Sequence, residues 1–577
     1  MIRRSLLSAL LVLGSAVPAA DALWQNNLDT EAELRQFSRH ASDWDLKGGT
    51  GGSACLKFRN DEPKGYPPAV NLDPALFKGK TVVLSAMIKA ENLKEPANKY
   101  WGPKVCFFYQ TADGKSNFVE CPKFYGTYDW KEVSRKVKFP ENLVKLQLLV
   151  GLQRCAGTFM VDSLSIREES AGKNYEKYTV SGWTDREKPH YKPGEPMHFY
   201  FRLLNDKKPV AGKVRVVIGA DDGRNQTYDT AVSAAEPLHI ATSLSIPGFV
   251  MVRVQLLGDD GKVVSRRNAG GSMRPIQWGL AAGVEPERLV QGVPEPADFD
   301  AFWTRQKQEL AAVPLRVLEK KPVRLNGACD VYDVKLSCVG PRPVSGYLSI
   351  PKNAKPGSLP AELRFDGYSV QGAKIVESSR AIVFFVNPHG IENGREAAYY
   401  DALRKGELSG YGFRNSENLK PETVYFRFMI LRGVRAAEFL KSLPEWNGKT
   451  LKVIGGSQGA FQATAVCGLI DGATECHLAI PWFCDLGGIV KGRVRGWRPD
   501  LQPGLGYYDT VNFAARVKCP VRIDAGLSDW VCPPSGVWIL YNNLKVPFKS
   551  MTMRQGLDHA VYHGFDRNAV PRYTVKE

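Results

Sequence analysis

The chain has 577 residues, of which 44% are hydrophobic and 24% charged, with a formal charge of +17. These are ordinary globular proportions; they exclude a disordered, collagen-like or polytopic membrane protein and allow three or four domains with ample core. The positive excess is spread along the chain, +3 in residues 23–170, +5 in 171–283 and +8 in 284–577. With no block of like charges, no nucleic-acid partner is expected.

Residues 1–22 read as a cleavable signal peptide. Arg3 and Arg4 precede a short apolar run from Leu6 to Val17, and Ala20-Asp21-Ala22 forms a small-residue cleavage site before Leu23. The run is too short to span a bilayer, which needs about 20 apolar residues. A secreted or periplasmic protein without membrane insertion is expected. Eleven cysteines in such a chain make disulfides feasible, with Cys106–Cys121 and Cys55–Cys155 as candidate pairs and at least one thiol left over. No C-x-x-C or H-E-x-x-H spacing occurs, so neither a metal site nor any other cofactor is predicted.

Residues 23–170 contain alternating runs such as Thr81 to Lys89 and Lys145 to Val150, separated by turn residues, as in a β-sandwich. The stretches Gly126-Thr127-Tyr128-Asp129-Trp130, Val137 to Pro140 and Gly157 to Asp162 resemble the carbohydrate-binding jelly-roll modules attached to glycan-active enzymes. On that resemblance Trp101, Tyr125 and Trp130 are candidates for stacking on sugar faces. Residues 171–278 form a second β-rich region. Alternation over Met197 to Leu203, a turn at Ile246-Pro247-Gly248 before an apolar run, and Asp259-Asp260-Gly261-Lys262 predict an immunoglobulin-like sandwich with no catalytic features, read as a spacer or docking module.

Residues 279–577 change to strands alternating with helices. Ala381 to Val386 and Lys452-Val453-Ile454 read as buried parallel strands, Arg427 to Leu443 and Phe461 to Ile470 as helices; a doubly wound, mostly parallel sheet follows. Between the second strand and second helix lies Gly455-Gly456-Ser457-Gln458-Gly459, a G-x-S-x-G turn in the context that lifts a serine hydroxyl out of the sheet. With Ser457 as nucleophile, the chain order Ser…Asp…His leaves His559 and His563 as bases, because His389 and His477 come too early. Two acids are available: Asp529 lies in a loop able to reach an imidazole, whereas Asp524 falls inside a strand.

Residues 290–577 resemble the acetyl xylan esterase/cephalosporin-C deacetylase family of α/β-hydrolases. Pro296 to Trp303 matches the family's entry motif, Arg435-Ala436-Ala437 the helix before the elbow, Gly455 to Gly459 the G-G-S-Q-G elbow, and Gly526 to Ser535 with Tyr541-Asn542 the acid loop. The resemblance implies Asp529 as the acid and His559, in the looser Gly556-Leu557-Asp558-His559, as the base. It also implies an oxyanion hole from the backbone N–H groups of Gln458 and Tyr368, with Asp366-Gly367-Tyr368 standing where the family has H-G-Y. Trp482 and Phe483 occupy the segment that borders the family's acyl pocket, and Lys491, Arg493, Arg495 and Arg498 are candidates for attracting an acidic glycan. The expectation is therefore two N-terminal β-sandwiches followed by an α/β-hydrolase domain that removes acetyl groups from glycans. The alternatives are a broader short-chain carboxylesterase or cephalosporin deacetylase, or a glycan-binding protein with an inactive hydrolase domain.

Overall fold

The computed structural model describes residues 22–577 except 39, 169–173, 268–270, 325–326 and 560–569. The signal segment before Ala22 and His563 lie outside the described residues. The chain divides into two compact units, one ending at Asn174 and the other running from Tyr175 to Glu577.

The first unit contains a six-stranded and a four-stranded antiparallel sheet. Its strand Thr81–Leu93 alternates between buried and half-buried positions, as the sequence pattern requires. One apolar cluster joins Leu84, Ile88 and Ile166 of the larger sheet to Phe107, Leu146 and Leu148 of the smaller, so the sheets share a core. No disulfide crosses it. All eleven cysteines are free thiols. Cys155 donates its S–H to the Lys94 carbonyl at 3.0 Å instead of facing Cys55. Burial raises Cys55, Cys106 and Cys121 to about 12 and Cys155 to about 11, which keeps the thiols protonated and unreactive.

The second unit begins with two sheets packed on a core of Phe199 and Phe201 against Val216, Val252 and Leu280. The five-stranded one includes Gly212–Ala220, Gly248–Leu257 and Gln277–Val284. The boundary expected at 278/279 is corrected here. It falls inside the strand Gln277–Val284, which pairs along its length with Gly248–Leu257. Because the apolar run continues to Val284, alternation alone could not separate this strand from the buried strands that follow.

Residues beyond it form a ten-stranded sheet. Its strands are β1 Val317–Arg324, β2 Cys329–Leu336, β3 Val344–Pro351, β4 Leu359–Phe365, β5 Ile382–Val386, β6 Trp446–Gly456, β7 Glu475–Ala479, β8 Val521–Gly526, β9 Lys549–Arg554 and β10 Arg572–Lys576. The spatial order is β1-β2-β3-β5-β4-β6-β7-β8-β9-β10, with the six strands from β5 to β9 parallel. β10 returns antiparallel to β9. The helices include α1 Phe299–Ala311, α2 Ala397–Lys405, α3 Phe426–Ser442, α4 Gln458–Leu469, α5 Thr510–Ala514 and α6 Pro534–Asn543. α3, expected over Arg427 to Leu443, is buried almost all round, Arg432 and Arg435 included. These guanidiniums donate to the carbonyls of Pro388, Leu310 and Val313, which satisfies charges that burial would otherwise penalise.

The strand-to-helix turn after β6 depends on two of its three glycines. A Cβ on Gly455 would lie 2.0 Å from the Gly459 carbonyl oxygen, and one on Gly459 would lie 2.4 Å from that of Phe365; one on Gly456 would meet nothing closer than 3.8 Å. Backbone atoms cannot step aside as a side-chain tip can. Gly455→Ala and Gly459→Ala are therefore expected to lower stability by at least about 1–3 kcal/mol, and Gly456→Ala to leave it within about 0.5 kcal/mol, as read from thermal unfolding of the full-length protein.

Candidate active site

Ser457 sits at the apex of this turn with φ 54° and ψ −120°, a conformation that costs a side-chain-bearing residue about 1–3 kcal/mol. The surroundings enforce it: the Ser457 N–H donates to Ala479 O at 2.8 Å, and its own carbonyl accepts the N–H groups of Ala460, Phe461 and Trp482. The chain then enters α4 at once, three residues before the expected start, so the positive end of the helix lies beside the hydroxyl.

The other two groups arrive from the ends of β8 and β9. His559 Nε2 lies 3.1 Å from Ser457 Oγ, and its Nδ1 lies 2.8 Å from Asp529 Oδ2. The second oxygen of Asp529 accepts the backbone N–H groups of Val531 and Cys532, both at 2.8 Å. That leaves the carboxylate 1% exposed with both oxygens engaged, while the imidazole keeps 22% of its surface open. Asp524 is committed elsewhere: Arg554 grips it bidentately at 2.8 and 2.9 Å. Cys532 Sγ also lies within 4.8 Å of ligand atoms of Asp529 and His559. Burial raises that thiol well above its ordinary value, and the Asp529 lone pairs are already used, so the donor set does not suit a metal.

Opposite His559, the loop after β4 brings Gly367 against the elbow; a Cβ there would lie 3.7 Å from Ser457 Cβ. Asp366, the departure from the H-G-Y pattern, accepts the Gly367 N–H at 2.9 Å together with Lys374 and Gln371, and so shapes this loop from within. Gln458 opens α4, where N–H groups have no intrahelical acceptor and are free for an oxyanion.

Sequence reasoning missed the residue that ties the Tyr368 loop to Gln458. Tyr411, 1% exposed, stacks on Tyr368 with centroids 4.1 Å apart and planes 9° apart. Its hydroxyl donates to Gln458 Oε1 at 3.2 Å, and its carbonyl accepts the Tyr368 hydroxyl at 3.2 Å. His389 braces the same loop by donating from Nε2 to Ser369 O at 2.7 Å, with Nδ1 beside the Tyr425 hydroxyl; burial holds its imidazole neutral, lowered to about 3. Neither residue lies in a local motif, so only the packed fold reveals them.

Trp482 and Phe483 are both interior. Phe483 packs on Phe426, Phe461 and Trp482, whereas Trp482 reaches toward Tyr368 and donates its indole N–H to Trp497 O. Trp497, 42% exposed and 4.7 Å from the Tyr368 ring, is the aromatic that borders solvent here. Three members of the basic run are already engaged, while Lys491 is exposed: Arg493 pairs with Asp485, Arg495 with Asp500, and Arg498 donates to the carbonyls of Cys484 and Asp485.

A ten-stranded sheet with a serine elbow after a central strand, an aspartate after a later one and a histidine after the next is the architecture of serine carboxylic-ester hydrolases of the α/β-hydrolase type. The family model of acetyl xylan esterase (AXE1) matches residues 290–493 and 500–577. That match covers a little under half of the chain and makes its C-terminal region similar to the acetyl xylan esterase family. The acetyl esterase Axe7A of Xylanibacter ruminicola is 29% identical over 324 residues, 53% of this chain and 69% of that protein. Among solved structures, the acetyl xylan esterase from Paenibacillus sp. R4 is 25% identical with a TM-score of 0.39, covering 48% of this chain and 93% of its own. Acetyl xylan esterase 1 from Thermoanaerobacterium sp. JW/SL YS485 is 21% identical with a TM-score of 0.39, covering 49% and 95%.

The two acids can be told apart by experiment. Asp529→Asn should lower kcat by about 10⁴-fold, because the amide no longer selects the imidazole tautomer that accepts from the serine. Asp524→Asn should change kcat less than tenfold, since its partner is Arg554; steady-state hydrolysis of an aryl acetate by both variants checks this.

Proposed function

We propose that this protein is an exported carbohydrate O-acetylesterase that works through a covalent acyl-enzyme. The reading rests above all on the continuous Ser457–His559–Asp529 hydrogen-bond chain, with spacings of 3.1 and 2.8 Å, inside a region similar to the acetyl xylan esterase family. His559 takes the proton of Ser457 as the hydroxyl attacks the ester carbonyl. It then gives that proton to the sugar alkoxide as it leaves, and water repeats the cycle on the acetyl-serine. Asp529, buried and saturated with donors, keeps Nδ1–H pointed at itself so that Nε2 faces the serine. The N–H groups of Tyr368 and Gln458 hold the tetrahedral oxyanion, a contribution of about 3 kcal/mol for each donor. Rings of Trp482 and Trp497 limit the acyl side and favour acetyl over longer chains.

The first unit is read as a glycan-binding jelly roll and residues 175–284 as an immunoglobulin-like domain. In the first unit, the Arg154 guanidinium lies 5.0 Å from the Trp101 ring and 5.4 Å from the Tyr66 ring. Tyr66 and Tyr100 beside it are more than two-thirds exposed, which favours Trp101 over Tyr125, half-buried against the core, as a sugar-stacking ring. Export is supported by the n-region, apolar run and cleavage site of residues 1–22; no helix among the described residues is long and apolar enough to cross a membrane.

The decisive measurement is acetate release from defined acetylated glycans, an aryl acetate and a cephalosporin. Release from glycans that Ser457→Ala abolishes, to below about a hundredth of wild-type kcat, is the expected result. A preference for the aryl acetate or cephalosporin would make the protein a broader esterase, and no release from any substrate would leave a binding protein. On insoluble acetylated polymer, Trp101→Ala should weaken activity several-fold while sparing soluble esters; equal rates on both substrates in the variant and the wild type would remove the binding role.

A further inference from the structure

The five-stranded sheet of the middle region has two differently used faces. Side chains alternate along its strands, so Val216, Val252 and Leu280 enter the core shared with its partner sheet. The opposite face carries Gly219, Arg253, Gln277, Gly279 and Ala281, brought into line by the pairings Arg253↔Gly279 and Met251↔Ala281. A β-sandwich that served only as a spacer would show this face to water. Here it is covered by the two loops that carry Asp529 and His559.

The contacts are specific on both loops. On the acid loop, a Cβ on Gly279 would meet Ser528 Cβ at 2.8 Å, and one on Gly219 would meet the Trp530 ring at 2.9 Å, so Asp529 is flanked on each side by residues seated on strand glycines. The Arg253 guanidinium covers the Trp530 ring at 4.7 Å. On the base loop, the buried Gln555 side chain forms a two-point bridge to one peptide unit's length of the strand: its Oε1 accepts the Ala281 N–H at 3.1 Å and its Nε2 donates to Ala281 O at 2.7 Å. Gln277 Nε2 donates to Asp558 Oδ2 at 3.0 Å, one residue before His559. Between them Gly556, at φ 72°, lies so close to Trp278 that a Cβ would fall 2.0 Å from the ring.

We infer that the sheet containing Gln277–Val284 is a positioning element of the active site, which sets the separation of Asp529 and His559 by seating both of their loops on one rigid surface. The inference rests on reading Ser457, Asp529 and His559 as the triad. Its physical basis is that the two loops leave neighbouring strands, β8 and β9, are joined at their roots by the Leu527 N–H donating to Arg554 O at 2.9 Å, and beyond those roots include no helix or strand in residues 527–533 or 555–559. The shared sheet supplies a second common reference farther along both loops. Gln277, Gln555 and Gly279 are thereby positioning residues; none of them touches the reacting atoms.

The test uses full-length Gln277→Leu, Gln555→Met and Gly279→Ala, with active serines counted by end-point titration with an organophosphonate and kcat expressed per titrated serine. A merely structural role would reduce the number of titratable sites and leave kcat per site unchanged. A positioning role lowers kcat per site by about tenfold to a hundredfold with KM for an aryl acetate within about twofold, because displacements near 1 Å are enough. Gln277→Leu, at a half-buried position, removes two side-chain hydrogen bonds, the one donated to Asp558 and the one accepted from Gln255, and guards against loss of folding in the other two. Unchanged kcat per site in Gln277→Leu and in either other variant would overturn the inference. Ser457→Ala, measured in parallel, separates the two readings: if it still hydrolyses the ester, the triad itself is misassigned; if it is inactive while the three variants are normal, only the positioning role fails.

Discussion

The strained backbone of Ser457 is the constraint around which this domain is arranged. A side-chain-bearing residue at φ 54° does not hold that conformation alone. It is held because β6 runs directly into α4, with Gly455 and Gly459 in backbone contact and Gly459 pressed against the end of β4. The same contact draws the loop after β4 to the elbow and so fixes where the Tyr368 amide stands. The parallel order of β4, β6, β7 and β8 follows from burying these strands on both faces, and it delivers the loops after β8 and β9 to the same edge of the sheet. One tight turn therefore determines the positions from which every other group must approach.

Around that turn, polar groups are used in pairs that leave little freedom. Asp529 spends one oxygen on two amides and the other on His559, so it cannot rotate away from the imidazole. Tyr411 bonds to both Gln458 and Tyr368, and His389, kept neutral by burial, holds the carbonyl next to Tyr368. Cations follow the same economy. Arg432, Arg435 and Arg498 are buried on backbone carbonyls, and the half-buried Arg493 and Arg516 pair with carboxylates, so part of the net positive charge works within the fold.

How much of this was legible in sequence differs by element. The alternation over Thr81–Leu93 and Met197–Asn205 gives strands directly, because a half-buried strand repeats every two residues. The elbow is legible because its chemistry is local: strand, small residues, serine and helix are contiguous. The acid is legible as far as a choice of loop over strand, and Asp524 in fact faces Arg554. The domain boundary at 278/279 was not, since an apolar strand of a sandwich and one of a parallel sheet look alike. The candidate disulfides failed for a related reason: cysteine spacing says which strands are near, not which way the thiols point, and Cys155 points to a carbonyl.

Sequence by itself narrowed the class of fold, the turn that carries Ser457 and the short set of aspartates and histidines open to it, because each of these is encoded within a few consecutive residues. Tertiary structure alone decided which residues share a hydrogen bond across long separations: Ser457 with His559, Tyr411 with Gln458, Ala281 with Gln555. It also turned a region with no catalytic motif into the surface on which the loops of Asp529 and His559 rest. Such contacts have no local signature, since Gln277, Gly279 and Ala281 gain them only when two loops, remote in the chain, are laid against them.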